Sequence, residues 1–413
     1  MKRRPRKLFL ILIGLIPAAV LPLPGQFHPG QYTDEAPFRT WNSFPYAGAA
    51  AAGRGHTVFA WATDASSTSA NPALLLTLPK ATVALGGSFQ WATAMRYGPV
   101  NSGLLIASSP IGGSSFTGDH AVVSLRAGRF AFAAGVFLSE IYDRPGAEVY
   151  DNENQARLYT IRFTQTGLLR TFHLAAAFQL SPRLGLGAGV NAAAGRLTME
   201  LMEDLRFLGF NFTSAKSSSL KGLSINGGIF WDISPSLRAA LTFRSPFTLE
   251  AGTETVDRYA APEAGTEIII RGESADSFKR PLAVGAGFSI RHSDRFRTAL
   301  DVAWTRWSSY EAVWLGDAPV RDFRDTVRVS AGGEFLSTIR IFRKKVKAPF
   351  RFGLIYDPQP PARPRSAYWG IAAGAGLAID GFRIDLGGLI GTAQDAGDRL
   401  TSARISLSCG YAF

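Results

Sequence analysis

This chain of 413 residues contains one cysteine, Cys409, so it forms no disulfide within itself and offers no cysteine cluster for a metal. Only 18% of its residues are charged, and no apolar run reaches the roughly 18 residues that a transmembrane helix needs. Its histidines lack metal-binding spacing, and there is no Gly-x-Ser-x-Gly elbow of a hydrolase. These absences argue against an enzyme, a metal site, a bound cofactor and a helical membrane protein.

The N-terminus has the pattern of an export signal. Five positive residues lie between Lys2 and Lys7, and an apolar stretch follows over residues 8–20. The alternative is a membrane anchor, but the stretch is short and stops at Pro22 and Pro24. We therefore expect a cleaved signal peptide over residues 1–25 and export to the bacterial outer membrane.

The formal net charge is +12, and removing the five N-terminal positives leaves about +7. A basic chain can bind nucleic acid, but here the basic residues are scattered, with no basic helix and no aromatic RNA-binding motif. The charge therefore favours lipopolysaccharide phosphates or an anionic solute over nucleic acid as a partner.

The main signal is a period-two alternation of apolar residues that recurs along the chain. Leu282, Val284, Ala286, Phe288 and Ile290, for example, alternate with small residues. Such strands fit a soluble sandwich with an apolar core, or a membrane barrel with an apolar outer face and a polar lumen. The export signal, the segment lengths and an alternating C-terminus that ends on an aromatic residue favour the barrel.

The alternation predicts an all-β, membrane-spanning antiparallel barrel over residues 80–413. Short polar turns suit its periplasmic side, and longer segments near 92–117, 143–156, 203–221, 251–264 and 357–366 suit extracellular loops. The aromatic residues Trp304, Trp307, Tyr310 and Trp314 are expected to form an interfacial girdle. We predict fourteen strands: 80–91, 118–127, 129–142, 157–180, 183–202, 222–233, 236–250, 265–292, 295–314, 322–341, 348–357, 367–380, 381–393 and 400–413.

Residues 26–79 do not alternate and precede the first strand, so they are predicted to form a plug, or hatch, inside the barrel. In this segment Asn71-Pro72-Ala73 resembles the hatch signature of the long-chain fatty acid transporter family. The upstream Gly53-Arg54 also resembles a family motif, from which Gly55 departs. The stretches 300–310 and 352–360 resemble two family strands, in matching order.

The resemblance implies a fourteen-stranded barrel with a hatch, and passive uptake of hydrophobic compounds. It also implies capture at an extracellular groove and lateral exit through a defect in the third strand, here 129–142. In that strand Phe130, Phe132 and Leu138 are expected to face outward, and a change of parity around Ser139 and Glu140 indicates a bulge. The alternative is that the strand has already left the bilayer. Gly135 would allow close approach of another segment, such as the hatch.

Several residues are candidates for the transport path. The apolar parity also changes at Gly195, beside Arg196, which would hold a fatty acid carboxylate or would simply be solvated. The residues Phe207, Phe210, Phe212 and Phe137 are candidates for contacts with an apolar substrate. Asn71, Pro72 and Ala73 either shape the hatch turn or take part in gating.

The C-terminal Tyr411 and Phe413 match the aromatic ending that, by resemblance, the barrel-assembly machinery reads. Outer-membrane lipid and hydrophobic small molecules complete the expected partners of a protein predicted to be a monomer. The sequence does not distinguish fatty acids from aromatic hydrocarbons, alkanes or terpenes. A barrel that acts as a scaffold or binding component of a surface or secretion system is the alternative function.

Overall fold

A computed structural model describes residues 47–93, 106–108, 113–153, 156–205, 209–313, 321–341, 344–360, 362, 365, 367–395 and 398–413. The predicted signal peptide, the first part of the predicted hatch and Phe207 lie outside these residues. Within the described part, none of the helices is both long and apolar enough to span a bilayer. The strands are: β1 (Ala81–Thr93), β2 (Ile106–Ser108), β3 (Gly113–Ala127), β4 (Phe130–Ile141), β5 (Arg144–Glu153), β6 (Ala156–Ser181), β7 (Leu184–Leu205), β8 (Phe210–Asp232), β9 (Leu237–Arg244), β10 (Phe247–Ala261), β11 (Thr266–Arg280), β12 (Ala283–Arg291), β13 (Phe296–Thr305), β14 (Glu311–Val313), β15 (Thr326–Ile341), β16 (Lys344–Pro358), β17 (Ala367–Ile379), β18 (Phe382–Asp395) and β19 (Asp398–Ala412).

These nineteen strands form one antiparallel sheet that closes on itself, because β1 pairs with both β3 and β19. Four spans are interrupted and consist of β4 with β5, β9 with β10, β11 with β12, and β13 with β14. The short β2 pairs only with β5 among the described strands. The wall therefore has fourteen spans, as the alternation predicts. We call the end that carries the β3–β4 turn the lower end, and the end that carries the β7–β8 turn the upper end.

The faces of the wall are the reverse of those in a soluble protein. Apolar side chains such as Leu174, 65% exposed, and Ile371 cover the outside, whereas Asp301, Arg351 and Arg404 are buried inside. Exposure of so many apolar groups to water would be unfavourable, since each CH₂ gains about 0.8 kcal/mol on leaving it. The outer face is therefore a lipid-facing surface.

The spans between the β5–β6 turn and the β10–β11 turn rise higher than the rest of the barrel, and we call their upper part the raised wall. β6 has 26 residues, whereas β1, three spans away in the wall, has 13. Three segments predicted as extracellular loops are for this reason largely strand: 143–156 contains β5, 203–221 holds the ends of β7 and β8, and 251–264 belongs mostly to β10. Those predictions are wrong, because the loops join the strands only beyond this raised wall.

The raised wall also explains the change of parity at Gly195, which is not a bulge. The β7–β8 ladder runs without a register shift from Leu184 to Leu205. Lower down, Val190 is exposed on the outside, whereas higher up Leu197 is fully buried on the inside. The apolar face thus changes side with height, from the lipid-facing outside to an apolar interior.

The described part of the predicted hatch, residues 47–79, fills the lumen with a short α-helix, α1 (Ala49–Ala52), and two 3₁₀ helices, Ala65–Ser69 and Pro72–Thr77. Asp64 and Asn71 cap the two 3₁₀ helices by accepting the N–H groups of Ser66 and Ala73. The hatch packs closely on glycines of the wall: a Cβ on Gly187 of β7 would lie 2.4 Å from the Ala73 nitrogen.

Candidate functional site

The raised wall encloses a group of buried apolar side chains, which we call the upper cluster. Its members come from the third to the ninth span and from the segments that follow β13. Its aliphatic and aromatic lining, at the upper end of the lumen, suits an apolar ligand. The upper cluster consists of Tyr142, Leu169, Ala193, Leu197, Met199, Leu220, Leu249, Ala251, Phe278, Trp307, Tyr310, Ala312 and Phe323.

Two aromatic residues of this cluster correct a sequence expectation. Trp307 and Tyr310 are buried inside the barrel, 5.6 Å apart between ring centroids, and do not belong to a membrane girdle. The reason is that the chain leaves the wall after Thr305, makes one 3₁₀ turn over Trp307–Ser309, and returns as β14.

At the base of the upper cluster lies a pair of buried arginines. Arg280, which ends β11, donates to the Glu140 carboxylate at 2.6 Å and lies 3.4 Å from the Tyr142 hydroxyl. Arg244, which ends β9, is 9% exposed; its Nε has no hydrogen-bond partner, and its guanidinium lies 5.2 Å from the centroid of the Phe247 ring. Both arginines line a cavity of about 30 Å³ together with Glu140 and Trp307.

This cavity lies beside breaks in two neighbouring spans. Proline has no N–H group for a ladder, and Pro246 and Pro281 stand where the seventh and eighth spans are interrupted. Each break directly follows one of the two arginines, Arg244 and Arg280. The local sequence thus places two guanidinium groups at one level of the lumen.

The third span bends into the lumen at the predicted position. Its ladder with β6 shifts register between Leu138 and Glu140, which confirms a bulge at Ser139. Leu138, expected to face outward, is fully buried and packs with Ile141 against Ile355 and Tyr368 of the opposite wall. The bulge turns this stretch inward, so that successive side chains are all enclosed.

The bend leaves a gap in the ladder between the second and third spans, which we call the window. β3 and β4 pair only up to His120 and Phe137, and above this level the described residues of β3 have no ladder partner in the third span. Higher up, β5 pairs with β2 at Ser108 and Val149, which bounds the gap from above. Arg170 reaches from β6 to the Gly118 carbonyl at 3.1 Å, and Phe116 beside it is 79% exposed.

Phe137 connects this bend to the hatch. Its ring is fully buried between His120 and His173, and it belongs to the apolar cluster that contains Leu74 and Leu75 of the hatch. Phe137 therefore packs on the hatch below the window, outside the upper cluster. Gly135 approaches β3, with a Cβ position 2.8 Å from the Ala121 carbonyl, and not the hatch as expected.

Hydrogen bonds within the hatch and from the wall hold the hatch in place. Asn71 donates to the Phe59 carbonyl at 2.8 Å, and Asp301 of β13 accepts the N–H groups of Val58 and Phe59 at 2.6 and 2.9 Å. Asp301 is not among the functional residues predicted from the sequence, although a lone carboxylate on the inner face of a strand is a usable signal. Pro72 and Ala73 lie against Gly187 of the wall.

The Gly53-Arg54-Gly55 stretch forms a further contact of the hatch with the wall. Gly55 has a left-handed φ of 65°, and a Cβ there would lie 2.7 Å from the Leu354 oxygen, so this departure from the family motif suits the local geometry. Burial lowers the pKa of Arg54 to about 9, against the effect of Glu334, whose carboxylate is 3.9 Å away. The Arg54 guanidinium also lies over Trp61.

The phenylalanines and the arginine predicted to bind substrate do not come together. Arg196 is exposed on the outer face of the raised wall, because the adjacent Leu197 takes the inner position, so it cannot serve the interior. Phe212 packs on Tyr259 in the raised wall, 4.8 Å between ring centroids. Phe210 begins β8, and neither its side chain nor Phe207 is part of the described structure. Among the described residues, no group of three or more His, Cys, Asp or Glu residues forms a metal site.

An inverted, closed barrel with a filled lumen and an enclosed apolar cluster defines a class of protein, the plugged transport barrels of the outer membrane. The family described as outer membrane protein transport protein (OMPP1/FadL/TodX) matches residues 40–368, and the chain belongs to this family. The family is one of transport proteins, not of enzymes. No curated protein matches the chain.

Solved structures share this fold at low sequence identity. The toluene transporter TbuX of Ralstonia pickettii is 16% identical with a TM-score of 0.63, over 90% of this chain and 99% of that one. A Pseudomonas aeruginosa FadL homologue is 15% identical with a TM-score of 0.63, over 90% and 100%. The toluene transporter TodX of Pseudomonas putida is 14% identical with a TM-score of 0.64, over 90% and 99%.

Proposed function

We propose that this chain takes long-chain fatty acids or other hydrophobic compounds passively across the outer membrane, by capture in the upper cluster and lateral exit through the window. The observation that carries the proposal is the inward bend at Ser139, which leaves the upper part of β3 without a ladder partner in the third span. An apolar solute that passes sideways into lipid avoids water, which would cost about 0.8 kcal/mol per CH₂.

The orientation follows from the lengths of the connections. Barrels of this class have short periplasmic turns and longer extracellular connections, so the lower end is periplasmic and the raised wall is extracellular. The upper cluster then lies on the side from which a solute arrives, and the hatch lies below it. We infer a path from the extracellular end into the upper cluster, past Glu140, and out through the window.

A deletion of Ser139 tests the lateral exit. Without the extra residue, β4 can keep its register with β6 and pair further with β3, which closes the window. We expect uptake of a radiolabelled fatty acid by cells to fall at least about tenfold, a change in barrier of about 1.4 kcal/mol, while the barrel still folds. Deletion of Glu263, in the turn between β10 and β11, is the control. Normal uptake with Ser139 deleted would contradict lateral exit.

The cargo is inferred from the buried arginines. The names of TbuX and TodX refer to toluene, and an aromatic hydrocarbon needs only an apolar pocket. Here two guanidinium groups lie under the upper cluster, and Arg244 has an Nε without a hydrogen-bond partner. Guanidinium groups bind carboxylates well in buried sites, so we propose acidic hydrophobic compounds, fatty acids above all. Arg244 and Arg280 take the role that the sequence suggested for Arg196.

An Arg244→Met change separates acidic from neutral cargo. Loss of one charge-assisted hydrogen bond should weaken the binding of dodecanoate about tenfold or more and leave dodecanol unaffected. Calorimetry on the purified barrel in nanodiscs measures both, and Arg196→Met is the control. Equal weakening of both compounds would mean that Arg244 only supports the packing of the site.

The scaffold function remains a second candidate because of one feature of the raised wall. From Thr266 to Asp276, β11 pairs with β10 alone among the described strands, and Ile268, Ile269 and Ile270 are exposed there. An exposed apolar edge strand can pair with another chain. Recovery of a stoichiometric protein partner and no enriched hydrophobic compound from the purified barrel would favour this alternative.

Other parts of the proposal rest on the sequence. We propose that residues 1–25 are removed on export, that residues 26–79 act as the hatch, and that the protein is a monomer in contact with lipopolysaccharide and outer-membrane lipid. Tyr411 and Phe413 are proposed to be read by the barrel-assembly machinery. In support of this role, both side chains are exposed at the lower end of β19.

A further inference from the structure

The ion pair between Glu140 and Arg280 joins two spans that are not neighbours in the wall. Glu140 belongs to the third span and pairs with β6, whereas Arg280 belongs to β11, whose partners are β10 and β14. Their side chains are only 8% and 5% exposed and 2.6 Å apart. The pair therefore holds the bulged stretch of the third span inward, toward the opposite side of the lumen.

The acidic member of the pair lies on the bulge itself. Glu140 directly follows Ser139, whose hydroxyl lies 2.5 Å from that of Thr171 on β6. Its carboxylate is the same chemical group as the head of a fatty acid, and it lies on one of the two guanidinium groups that the proposed cargo would need. An incoming carboxylate and Glu140 must compete for Arg280.

Arg244 provides a second place for a carboxylate in the same cavity. Arg244, Glu140 and Arg280 all line it, so the three charged side chains share one small enclosed space. A buried carboxylate left without a partner would be strongly unfavourable. If a ligand carboxylate takes Arg280, Glu140 can turn to Arg244, so neither carboxylate is left unpaired.

We propose that Glu140 is a resident substitute for the substrate carboxylate, and that its replacement on Arg280 releases the inward bend of the third span. This inference rests on the proposed function and adds a selectivity step to it. A neutral hydrophobic compound fills the upper cluster but has no group that can replace Glu140. Replacement of Glu140 by the ligand carboxylate on Arg280 therefore couples the acidic head of the cargo to the third span, which borders the window. Glu140 is in this sense a positioning residue that makes release selective for acidic compounds.

Hydrogen exchange of the backbone amides over residues 139–142, together with binding, tests the inference on the full-length barrel in nanodiscs. In the wild type, dodecanoate should speed exchange there about tenfold or more, since an ion pair that restrains the bend is replaced. Dodecanol should bind without this effect. In Glu140→Gln, exchange should already be fast without ligand, and dodecanoate should bind about tenfold more tightly because its competitor is gone.

Two further variants show whether an effect is specific. Glu140→Asp keeps the carboxylate and should behave like the wild type: dodecanoate, but not dodecanol, should speed hydrogen exchange at residues 139–142. Glu250→Gln removes an exposed glutamate of β10 that pairs with Lys221, and should change nothing. The heat-dependent shift in electrophoretic mobility that marks a folded barrel serves as the fold check for each variant.

The outcomes separate the two proposals. If dodecanoate binds the wild type without faster exchange at 139–142, or if Glu140→Gln binds it no more tightly, Glu140 is not a substitute carboxylate, while hydrophobic transport stands. If neither dodecanoate nor dodecanol binds the wild-type barrel, the proposed function fails and this inference fails with it.

Discussion

The carboxylate of Asp301 shows how single residues hold the interior of this barrel together. It is buried on β13, far from Val58 and Phe59 in sequence, and accepts a hydrogen bond from each of their N–H groups. Those two amides lie in a hatch segment without regular secondary structure, so the wall must supply their acceptors. The hatch and the wall also meet at Trp61 of the hatch. Its ring contacts the guanidinium groups of Arg54, also in the hatch, and of Arg297 on β13.

Replacement of Asp301 by alanine should loosen the hatch and leave the barrel intact. Two buried N–H groups lose their acceptor, which costs about 1–3 kcal/mol for each group. We expect the backbone amides of residues 56–61 to lose hydrogen-exchange protection by the factor that corresponds to this free-energy cost. Asp294→Ala, in an exposed turn at the lower end, is the matched control. Unchanged protection in Asp301→Ala would mean that packing alone holds the segment.

Among the elements, β7 illustrates how one strand serves two environments. Its lower part faces lipid with Val190 and the hatch with Gly187, while its upper part turns Leu197 toward the upper cluster. Because side chains alternate strictly, a change in the parity of the apolar residues within an unbroken ladder means that the apolar side has moved from outside to inside. The third span differs, since there the change of parity at Ser139 is a true bulge.

The close approach of the hatch to β7 leads to a prediction for Gly187→Ala. The added Cβ would lie 2.4 Å from the Ala73 nitrogen, which is backbone and cannot turn away. We expect a loss of about 1–3 kcal/mol, as for overpacked cores, and a displaced Asn71-Pro72-Ala73 turn. Denaturation midpoints and single-channel conductance in planar bilayers would detect both effects. A Cβ on Gly272 has no atom within 4 Å, so Gly272→Ala should behave as the wild type.

The whole molecule depends on closure between its first and last strands. β1 pairs with β19 from Thr82 to Thr93, and the Phe413 N–H donates to the Ala81 carbonyl at 3.0 Å. Without this seam the sheet would have two open edges in lipid, where unpaired backbone groups are costly. The aromatic end of β19 therefore lies at the position where the barrel is completed.

Deletion of Phe413 should lower the amount of folded barrel in the outer membrane several-fold but spare refolding in detergent. The reason is that recognition by the assembly machinery would be lost, whereas the ladder of β19 would remain nearly complete. Membrane fractions and purified protein can be compared by heat-dependent mobility on gels. Phe350→Ala removes another exposed aromatic residue of the outer face and is the control. An equal loss of folded barrel in the outer membrane and in detergent would mean that Phe413 contributes only to the stability of the barrel.

Much of the architecture was predictable because it depends on local patterns. Alternation in the lipid-facing part of each span gave the fourteen spans, and the sequence around Ser139 indicated the bulge that the β4–β6 ladder confirms. The raised wall was mistaken for loops, since a strand that faces water on one side and an apolar interior on the other gives the opposite parity. The buried arginine pair was missed because Arg244 and Arg280 are 36 residues apart and meet Glu140 only through the closure of the sheet.

By itself, the sequence determined the barrel and its inverted faces, since period-two alternation acts within a few residues. Caps and prolines also act locally, but the predicted strands 236–250 and 265–292 run through Pro246 and Pro281, where the structure shows breaks. Only the tertiary structure decided what meets inside the lumen. The ion pair of Glu140 with Arg280, the hold of Asp301 on the hatch and the inner position of Trp307 all join residues that are distant in sequence. Their positions follow from the way the closed wall encloses a space that each strand lines with every second side chain.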